Sequence, residues 1–556
     1  MSIQTPDVLL KKVFPVIVGN IRVTFLSTVL FGLITHLFVL TNSLPNWDEV
    51  ISLVGNIEWS TNINGRWFLP YIAAISSIFS MPWVNGLLSI IYLSISACLV
   101  VTITKVKEPV FCALISGLMV TFPTVAGIFS VMQAADPYIF GLMLACFAVF
   151  LAQRYKYGYI IATIPILLSL AIYQAFFSVV VALLILILIL DVLDNQTTWQ
   201  KMLYKGIRFV GTLVAGIIMY FISVKIVYPD GLADHQGLDQ MGQTSLYEFF
   251  IGILRAYNSI ARFFILDSRN FHYSFMNIIF VIAFIACGIL IVLCAKKKQL
   301  HKEPLKLVLL FVLIILFPIG CNFIYLMGVS VEHELTIYAT VFILIFLLVI
   351  ADMHINMQSE ENIQTGDKKA TFAKTQRISA WIITSAMVLT MFNYWIMSNQ
   401  VYFKLNIGYQ TAYAQSILLV SRIQSIEGYT YDKDIVIVGS ARIPEGIPEL
   451  REITMFGVTG PELFGCFSYA YFLRNYLNFT QNVEHMRFYH TLVGMVSGDK
   501  EIIKAMYITR NMPVYPDSGS IVIVDDTIYV RFAYIYECCW EFNCSCTEEN
   551  RYRRFP

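Results

Sequence analysis

Eleven apolar runs, separated by short polar segments, constrain the fold of this chain more than any other feature of its sequence. A helix that crosses a membrane needs about 20 apolar residues, and fewer when it packs inside a bundle. Charged residues make up only 13% of the chain, whereas soluble domains average roughly 25%. The sequence therefore predicts a polytopic α-helical membrane protein with about 11 transmembrane helices. The predicted spans are 23–40, 84–104, 109–129, 137–152, 158–172, 175–191, 207–227, 274–294, 305–320, 336–351 and 379–397.

The runs at 158–172 and 175–191 are interrupted only by Tyr173 and Gln174. A single helix of about 34 residues would extend roughly 50 Å at about 1.5 Å per residue. That length is too great for one crossing of a membrane. We therefore predict two helices joined by a tight turn at Tyr173–Gln174.

The distribution of lysine and arginine indicates which side of the membrane each loop occupies. With the N-terminus placed inside, nineteen of these residues fall in the inner segments. The outer loops before residue 398 hold five, namely Arg66, Lys225, Arg255, Arg262 and Arg269. Because lysine and arginine favour cytoplasmic loops, the N-terminus is predicted to be cytoplasmic. An odd number of crossings then places the C-terminus outside.

Residues 398–556 differ in character from the rest, because charge rises and the long apolar runs stop. Helical periodicity appears at 406–426, and Ile435–Val438 and Ile521–Val524 are rich in β-branched residues. Asp525 and Asp526 lie between two such runs and predict a hairpin turn. We therefore predict two domains, a transmembrane domain at 1–397 and a small α/β domain at 398–556 on the outer face.

The first outer loop carries a pair of acids, Asp48 and Glu49, directly after Asn46 and Trp47. Charged residues at a membrane face are expensive unless they are solvated or used in function. A carboxylate beside apolar walls has a raised pKa and can act as a general base toward a sugar hydroxyl. Alternatively, the two acids only cap a short helix that begins near Val50, since acids favour helix starts.

Other residues of the outer loops are candidates, Asp136 for catalysis and Arg66, Trp67, Tyr173 and Gln174 for substrate binding. Arg66 is either a phosphate ligand or, with Trp67, an interfacial anchor of the membrane belt. Asp136 precedes Pro137, which favours the first helical position, so Asp136 is predicted to be the N-cap of a helix. It also faces the same predicted side as Asp48. Tyr173 and Gln174 either hydrogen-bond a sugar or phosphate, or satisfy backbone groups at their turn.

The long outer loop at 228–273 contains three arginines at seven-residue intervals, Arg255, Arg262 and Arg269, which would share one helix face. A basic outer face requires an anionic partner, either a substrate lipid phosphate or ordinary phospholipid headgroups. The loop also contains potential metal ligands, Asp230, Asp234, His235 and Asp239, but their spacing fits no known metal-site pattern. His333 and Glu334, after Glu332, add polar candidates near the membrane or cap the next helix.

The order of several short motifs resembles one known family. An acid pair in the first outer loop is followed by Gly65-Arg66-Trp67 and, inside a later apolar pair, by Tyr173-Gln174. The tail adds Asn511-Met512-Pro513-Val514-Tyr515-Pro516, followed by Gly519-Ser520-Ile521 and a final hairpin. Together these motifs resemble the serotype-converting O-antigen glucosyltransferases of enteric bacteria and their phages.

That resemblance implies a polytopic, GT-C-like fold in the bacterial inner membrane and an inverting sugar transfer at its periplasmic face. The donor would be glucose on undecaprenyl phosphate, and the acceptor a hydroxyl of a lipid-linked O-antigen repeat. The base maps onto Asp48, with Glu49 as its neighbour or substitute, and Asp136 matches an acid of the second outer loop. Phosphate binding maps onto Arg66 or onto Arg255 and Arg262. No cofactor is certain, and a divalent cation remains open.

Two other functions remain as alternatives. A lipid-linked sugar flippase or transporter would show paired broken helices with internal symmetry, and no internal repeat is visible. An O-antigen polymerase or ligase would place its key arginines in one dominant outer loop, for which 228–273 is the candidate. The predicted partners are membrane lipids and the two lipid-linked sugars. Nucleic acid is not predicted as a partner, because no basic tract or reader motif occurs.

Overall fold

The computed structural model describes residues 18–52, 64–229, 231–232, 246–266, 271–327, 334–359, 367–439, 469–486 and 499–532. These residues divide into two compact units, with the main division between Phe403 and Lys404. A short stretch, 45–52, belongs with the C-terminal unit although it lies early in the sequence. The predicted position 398 falls inside one continuous helix, Asp367–Gln424.

The helices are numbered in chain order. They are α1 Val18–Thr41, α2 Trp47–Ser52, α3 Leu69–Ala73, α4 Pro82–Thr104, α5 Pro109–Thr121, α6 Pro123–Phe129, α7 Ala135–Arg154, α8 Gly158–Ile161, α9 Thr163–Leu170, α10 Phe177–Asp194, α11 Trp199–Val227, α12 Leu246–Ala261, α13 Phe275–Lys297, α14 Pro304–Cys321, α15 Val341–Ser359, α16 Asp367–Gln424, α17 Tyr469–Leu477 and α18 Lys500–Thr509.

The predicted fold class is confirmed. Within the described residues, ten helices are long and apolar enough to cross a membrane. An eleventh candidate is the pair α5 and α6, which bend by 44° where Pro123 removes a backbone donor and holds Phe122 in an extended conformation. The predicted span at 158–172 is the shorter apolar helix Gly158–Leu170. The predicted turn is confirmed, because α9 ends at Leu170 and a 3₁₀ turn begins at Gln174.

One candidate span, Tyr247–Leu266, was not among the predicted spans. It comprises α12 and a turn of π-helix, Arg262–Leu266. Asn322, just past the end of α14, donates its side-chain amide to the carbonyl of Ala256 at 3.3 Å. The middle of α12 therefore lies beside the end of a spanning helix, so the segment runs along that end of the bundle.

Several helix termini meet at the opposite end of this unit, which we call the lysine end. One cavity there is lined by Lys105 after α4, Gln153 of α7, Asp194 of α10, Lys298 after α13 and Asp352 of α15. Asp194 and Lys298 form an ion pair at 3.2 Å across this cavity. The ends of α10 and α13 therefore lie on the same side of the bundle.

Small residues let the spanning helices approach one another closely. A β-carbon on Gly86 of α4 would lie 1.8 Å from the Leu40 side chain of α1, and one on Gly117 of α5 would lie 1.9 Å from Met391 of α16. Lipid tails are as apolar as leucine, so such close packing is a main source of helix association in membranes. The serine hydroxyl groups of α4, such as that of Ser89, bond to their own helix carbonyls.

The C-terminal unit contains a mixed four-stranded sheet in the order β2-β1-β4-β3. The strands are β1 Asp434–Val438, β2 Val483–Met486, β3 Ile521–Val524 and β4 Thr527–Arg531. β1 pairs in parallel with β2 and β4, while β3 and β4 are antiparallel. The hairpin predicted at Asp525–Asp526 is confirmed, and Asp525 adopts a positive φ of 55° there.

The short helix α2 is part of the core of this C-terminal unit. Val50 is fully buried among residues of α16, α17, β1 and β4, including Leu419, Phe472 and Ile528. Asn475 of α17 donates its side-chain amide to the carbonyl of Val50 at 2.9 Å. Burial of apolar side chains and this hydrogen bond therefore fix α2, which carries the first pair of acids.

Candidate functional site

Arg66 lies at the end of the transmembrane unit opposite the lysine end, inside a cage of aromatic rings. Its Nη1 donates to the hydroxyl of Tyr138 at 2.9 Å, and its Cζ lies 4.7 Å from the centre of the Tyr173 ring. The two tyrosine rings themselves pack at 4.8 Å. Its Nε is buried and has no hydrogen-bond partner among the described residues. The cage thus fixes a cation while leaving one of its donors available.

The turn before Arg66 is held by two buried side chains. The Gln174 amide donates both to the carbonyl of Asn64 at 2.7 Å and to the Tyr220 hydroxyl at 2.9 Å. The Tyr220 hydroxyl in turn donates to the carbonyl of Gly65 at 3.4 Å. Gly65 has a φ of +68°, a conformation that glycine adopts readily. We call Arg66, Tyr138, Tyr173, Gln174 and Tyr220 the Arg66 cluster.

Trp67, on the other side of Arg66, is also held by the helix α11. Its indole Nε1 donates to the Ser223 hydroxyl at 3.0 Å. Ser223 gives its own hydrogen to the carbonyl of Tyr220 at 2.7 Å, so its oxygen is free to accept from Trp67. The backbone N–H of Phe68 donates to the carbonyl of Ala171 at 3.0 Å. The loop is therefore tied to two neighbouring segments of the transmembrane unit.

Asp136 is fully buried in the first turn of α7, two residues before Tyr138. Its Oδ1 accepts a hydrogen bond of 2.8 Å from the Asn85 side chain, which also donates to Ser76 at 3.0 Å. Its Oδ2 is buried and has no hydrogen-bond partner among the described residues. The helix dipole favours a negative charge in this turn. One oxygen of the carboxylate is thus fixed, and the other can accept from a ligand.

The N-cap role predicted for Asp136 is wrong. The helix begins at Ala135, its N-cap is Ala134, and no side chain caps it. A 3₁₀ turn, Met132–Ala134, leads directly into the helix, so the helix begins two residues before Pro137. The Asp136 side chain is therefore available to bond with Asn85.

Glu334 is buried at the start of a 3₁₀ turn, Glu334–Thr336, and its backbone carbonyl accepts from Thr124 at 2.6 Å. Its charge acts on the Arg66 cluster. Burial raises the pKa of Tyr173, the Arg66 cation opposes that change, and the charges of Tyr138 and Glu334 add to it. His333 lies outside the described residues. Of the predicted candidates His333 and Glu334, therefore, only Glu334 can be placed near the Arg66 cluster.

Arg255 and Arg262 are both exposed, the first on α12 and the second at the start of the π-helical turn. Neither forms a hydrogen bond or ring contact with the Arg66 cluster within the described ranges. α12 packs closely through Gly252, where a β-carbon would lie 2.6 Å from the carbonyl oxygen of Tyr325. These two arginines therefore form a separate basic surface.

Asp48 and Glu49 belong to the C-terminal unit, in the first turn of α2. The Asn46 side chain caps this helix, since its Oδ1 accepts from the N–H groups of Asp48 at 3.0 Å and Glu49 at 2.9 Å. Glu49 is 2% exposed, whereas Asp48 is half-buried. Burial, together with the Glu49 charge, raises the pKa of Tyr476. The adjacent acids thus occupy different environments, and Asp48 is the more accessible.

Four residues of these sites were not singled out from the sequence: Asn85, Tyr138, Tyr220 and Ser223. Each contacts a partner at least 51 residues away in sequence. Each also lies within a largely apolar helix, where a single polar side chain is common. No local pattern marks the two tyrosines and the serine. Asn85 alone could have been noticed, because it is an asparagine inside an apolar span.

The described ranges contain no group of three or more histidine, cysteine, aspartate or glutamate residues that could hold a metal ion. Asp230, Asp234, His235 and Asp239 lie outside those ranges, as does Arg269. A divalent cation therefore remains an open prediction.

Comparison with known proteins identifies one family. No curated protein and no solved structure matches the chain. The family described as Glucosyl transferase GtrII matches residues 37–351, which is more than half of the 556 residues. This match includes Asp48, Arg66, Asp136 and Tyr173, and it confirms the resemblance drawn from the motifs. The chain belongs to the glucosyl transferase GtrII family and is a glycosyltransferase with a polytopic membrane fold.

Proposed function

We propose that this protein transfers glucose, or a related hexose, from undecaprenyl phosphate to a hydroxyl of a lipid-linked O-antigen repeat. The reaction takes place at the periplasmic face of the bacterial inner membrane. The observation that carries this proposal is the caged Arg66 guanidinium, which has a buried, unpartnered Nε and no carboxylate partner among the described residues. A fixed guanidinium without a carboxylate is suited to a phosphate.

The leaving group of this transfer is the lipid phosphate, which gains negative charge as its bond to the sugar breaks. Such a group requires charge stabilisation by a preorganised cation and does not require a proton. Arg66 supplies that cation, and the tyrosine rings around it exclude water and hold its plane. The exposed Arg255 and Arg262 attract anionic lipid headgroups to the same face.

The acceptor hydroxyl requires a base, and we assign that role to Asp48 with Glu49 as its neighbour. The motif resemblance implies a base at Asp48, and this assignment is supported by the greater exposure of Asp48 than of Glu49. Asp136 accepts a hydrogen bond from a hydroxyl of the donor sugar through its free Oδ2. Inversion follows from a single in-line displacement, in which the hydroxyl attacks as the phosphate leaves.

The positions of the charged residues support an outer location for this site. Asp136 lies in the first turn of α7 and Arg154 is its last residue, so the two residues mark opposite ends of one span. Lys201 and Lys205 begin α11, while Tyr220 lies in its last two turns. Positively charged residues thus collect at the end opposite the Arg66 cluster. The preference of such residues for the cytoplasm favours a periplasmic site.

The proposal is tested with purified protein in nanodiscs, supplied with undecaprenyl-phosphate glucose carrying a radiolabel and with lipid-linked O-antigen. Asp48→Asn is expected to lower the rate of transfer about 10²- to 10⁴-fold, the usual contribution of a general base. Binding of undecaprenyl phosphate alone is expected to stay near the wild-type value.

Glu49→Gln serves as the matched control, because it neutralises the adjacent carboxylate. Thermal unfolding of each variant shows whether the C-terminal unit remains folded. Wild-type transfer by Asp48→Asn would exclude Asp48 as the base. Failure of the wild-type protein to use the polyprenyl donor, with transfer from a nucleotide sugar instead, would contradict the proposed donor.

A further inference from the structure

We propose that Tyr220 and Ser223 of α11 act with Gln174 as positioning residues that present the Arg66 guanidinium to the phosphate of the donor lipid. This inference rests on the proposed function, because it assigns the phosphate to Arg66. It gives α11 a role in donor binding. It also changes the interpretation of Gln174, whose amide donates to the loop carbonyl of Asn64 and to the hydroxyl of Tyr220.

The argument begins with the position of the two residues on their helix. Tyr220 and Ser223 are three residues apart on α11 and therefore share one face. Tyr220 contacts the carbonyl of Gly65, and Ser223 contacts the indole of Trp67. The single face of α11 thus holds the residue before Arg66 and the residue after it.

The donor and acceptor roles in these hydrogen bonds fix the orientations of the Gln174 amide and the Tyr220 hydroxyl. The Asn64 carbonyl can only accept, so the nitrogen of the Gln174 side chain must face it. The same nitrogen donates to Tyr220, so the Tyr220 hydroxyl hydrogen is free to point at Gly65. Tyr220 is 2% exposed and Gln174 is 3% exposed, so water does not compete readily for these bonds.

The local packing shows that Gly65 and the Tyr220 hydroxyl are in close contact. A β-carbon on Gly65 would lie 2.8 Å from the Tyr220 hydroxyl oxygen. Only glycine allows the loop backbone to approach the hydroxyl at this position while keeping a φ of +68°. The Gly65-Arg66 sequence and Tyr220 therefore form one geometric unit, although they are 154 residues or more apart.

The functional consequence concerns the freedom of Arg66. We call Gln174, Tyr220 and Ser223 the clamp. Without the clamp, the turn at Asn64–Gly65 loses two hydrogen bonds to its backbone carbonyls, and the guanidinium samples more positions before a donor binds. Ordering a long side chain on binding then weakens affinity by roughly 3- to 10-fold. The base and the acceptor are unaffected, so the loss appears in donor affinity.

The test measures binding of undecaprenyl phosphate to the full-length protein in nanodiscs, together with KM for the donor and kcat. Tyr220→Phe keeps the ring and removes only the hydroxyl, and Ser223→Ala removes the acceptor of the Trp67 N–H. We expect each to weaken binding and raise KM by about 3- to 10-fold, with kcat nearly unchanged.

Tyr338→Phe is the matched control. Tyr338 is also a fully buried tyrosine, and its hydroxyl donates to the backbone carbonyl of Met119 at 3.0 Å. It forms no hydrogen bond with the loop at 64–68 in the described structure. Its variant is expected to lower the unfolding temperature as Tyr220→Phe does, but to retain wild-type affinity. Equal effects of the two variants on affinity would overturn the inference.

A double-mutant cycle with Arg66→Ala decides whether the clamp acts through Arg66. Arg66→Ala alone is expected to weaken binding by about 10- to 100-fold, the loss of a charge-assisted hydrogen bond. Adding Tyr220→Phe in that background is expected to cause no further loss. Additive effects would overturn the inference. If Arg66→Ala binds like the wild type, the phosphate assignment fails and the inference fails with it.

Discussion

Asp136 illustrates how the surroundings of a single residue decide its role. The sequence identifies it as an acid before a proline, which suggests a helix cap. The structure instead ties one of its oxygens to Asn85 and leaves the other buried without a partner among the described residues. Asn85 is 51 positions earlier in the chain, on another helix. The residue type was predictable, but its partner was not, because contacts between helices leave no local pattern.

The unpartnered oxygen leads to a prediction for Asp136→Asn. Asparagine keeps the shape of the side chain and can still accept from Asn85, but it places an N–H₂ donor where the free acceptor was. We expect KM for the donor to rise about 10- to 100-fold, the value of a hydrogen bond to a charged group. The unfolding temperature is expected not to fall, because a buried charge is removed.

Asp352→Asn is the control for this prediction. Asp352 is also buried, but at the lysine end, where it accepts from the backbone N–H groups of Lys107 and Glu108. Its variant is expected to unfold at a lower temperature and to retain donor KM within about twofold, as distant sites act independently. A wild-type KM in Asp136→Asn would show that its free oxygen does not contact the donor.

At the scale of elements, the sequence predicted the features that depend on local composition. The apolar runs, the break at Tyr173–Gln174 and the hairpin at Asp525–Asp526 all follow from hydropathy and turn chemistry. α12 was not predicted as a candidate span, because its arginines and mixed polarity are typical of a loop helix. The burial of α2 in the C-terminal unit was also missed, since its partners are more than 350 residues away.

Gly252 tests how α12 is held against its neighbour. Because the facing atom is the backbone oxygen of Tyr325, alanine at this position cannot be relieved by moving a side chain. We expect Gly252→Ala to lower the free energy of unfolding by about 1–3 kcal/mol, as overpacking does. Thermal unfolding in detergent provides the measurement.

Two other helical glycines provide matched controls for Gly252. Gly288 on α13 and Gly211 on α11 would have no atom within 4 Å of an added β-carbon. Alanine at either position is expected to be neutral or stabilising by up to about 1 kcal/mol, because it favours the helix. Equal stability of all three variants would mean that α12 does not pack through Gly252.

For the whole molecule, the decisive question is whether the segment 246–266 crosses the membrane. α10 and α13 end at the lysine end, where Asn195 donates to the carbonyl of Lys298 at 2.8 Å. α11 begins at that end, directly after α10, so Val227 lies at the opposite end. Phe275 begins α13 at that opposite end as well. The chain therefore leaves and re-enters the bundle on the same side between these residues, and the segment does not change sides.

Because the chain lies on the same side of the bundle at Val227 and at Phe275, the outcome of a topology experiment can be predicted. Reporters are fused at three positions. The loops 195–198 and 299–303 both lie at the lysine end, so fusions after Gln196 and after His301 are expected to behave alike. Green fluorescent protein is expected to be active at both, and alkaline phosphatase inactive, because lysine and arginine near the ends of spanning helices favour the cytoplasmic side.

The third fusion, after Pro556, is expected to give active alkaline phosphatase, because the residues described after the loop at 299–303 include three spanning helices. These helices are α14, α15 and α16. If the fusions after Gln196 and His301 instead report opposite sides, the segment 246–266 crosses the membrane. If these two fusions agree but both report the periplasm, the number of crossings between them is as predicted and the orientation of the whole protein is inverted. In that case the Arg66 cluster faces the cytoplasm, where a flipped polyprenyl donor is not available, and the proposed reaction cannot occur there.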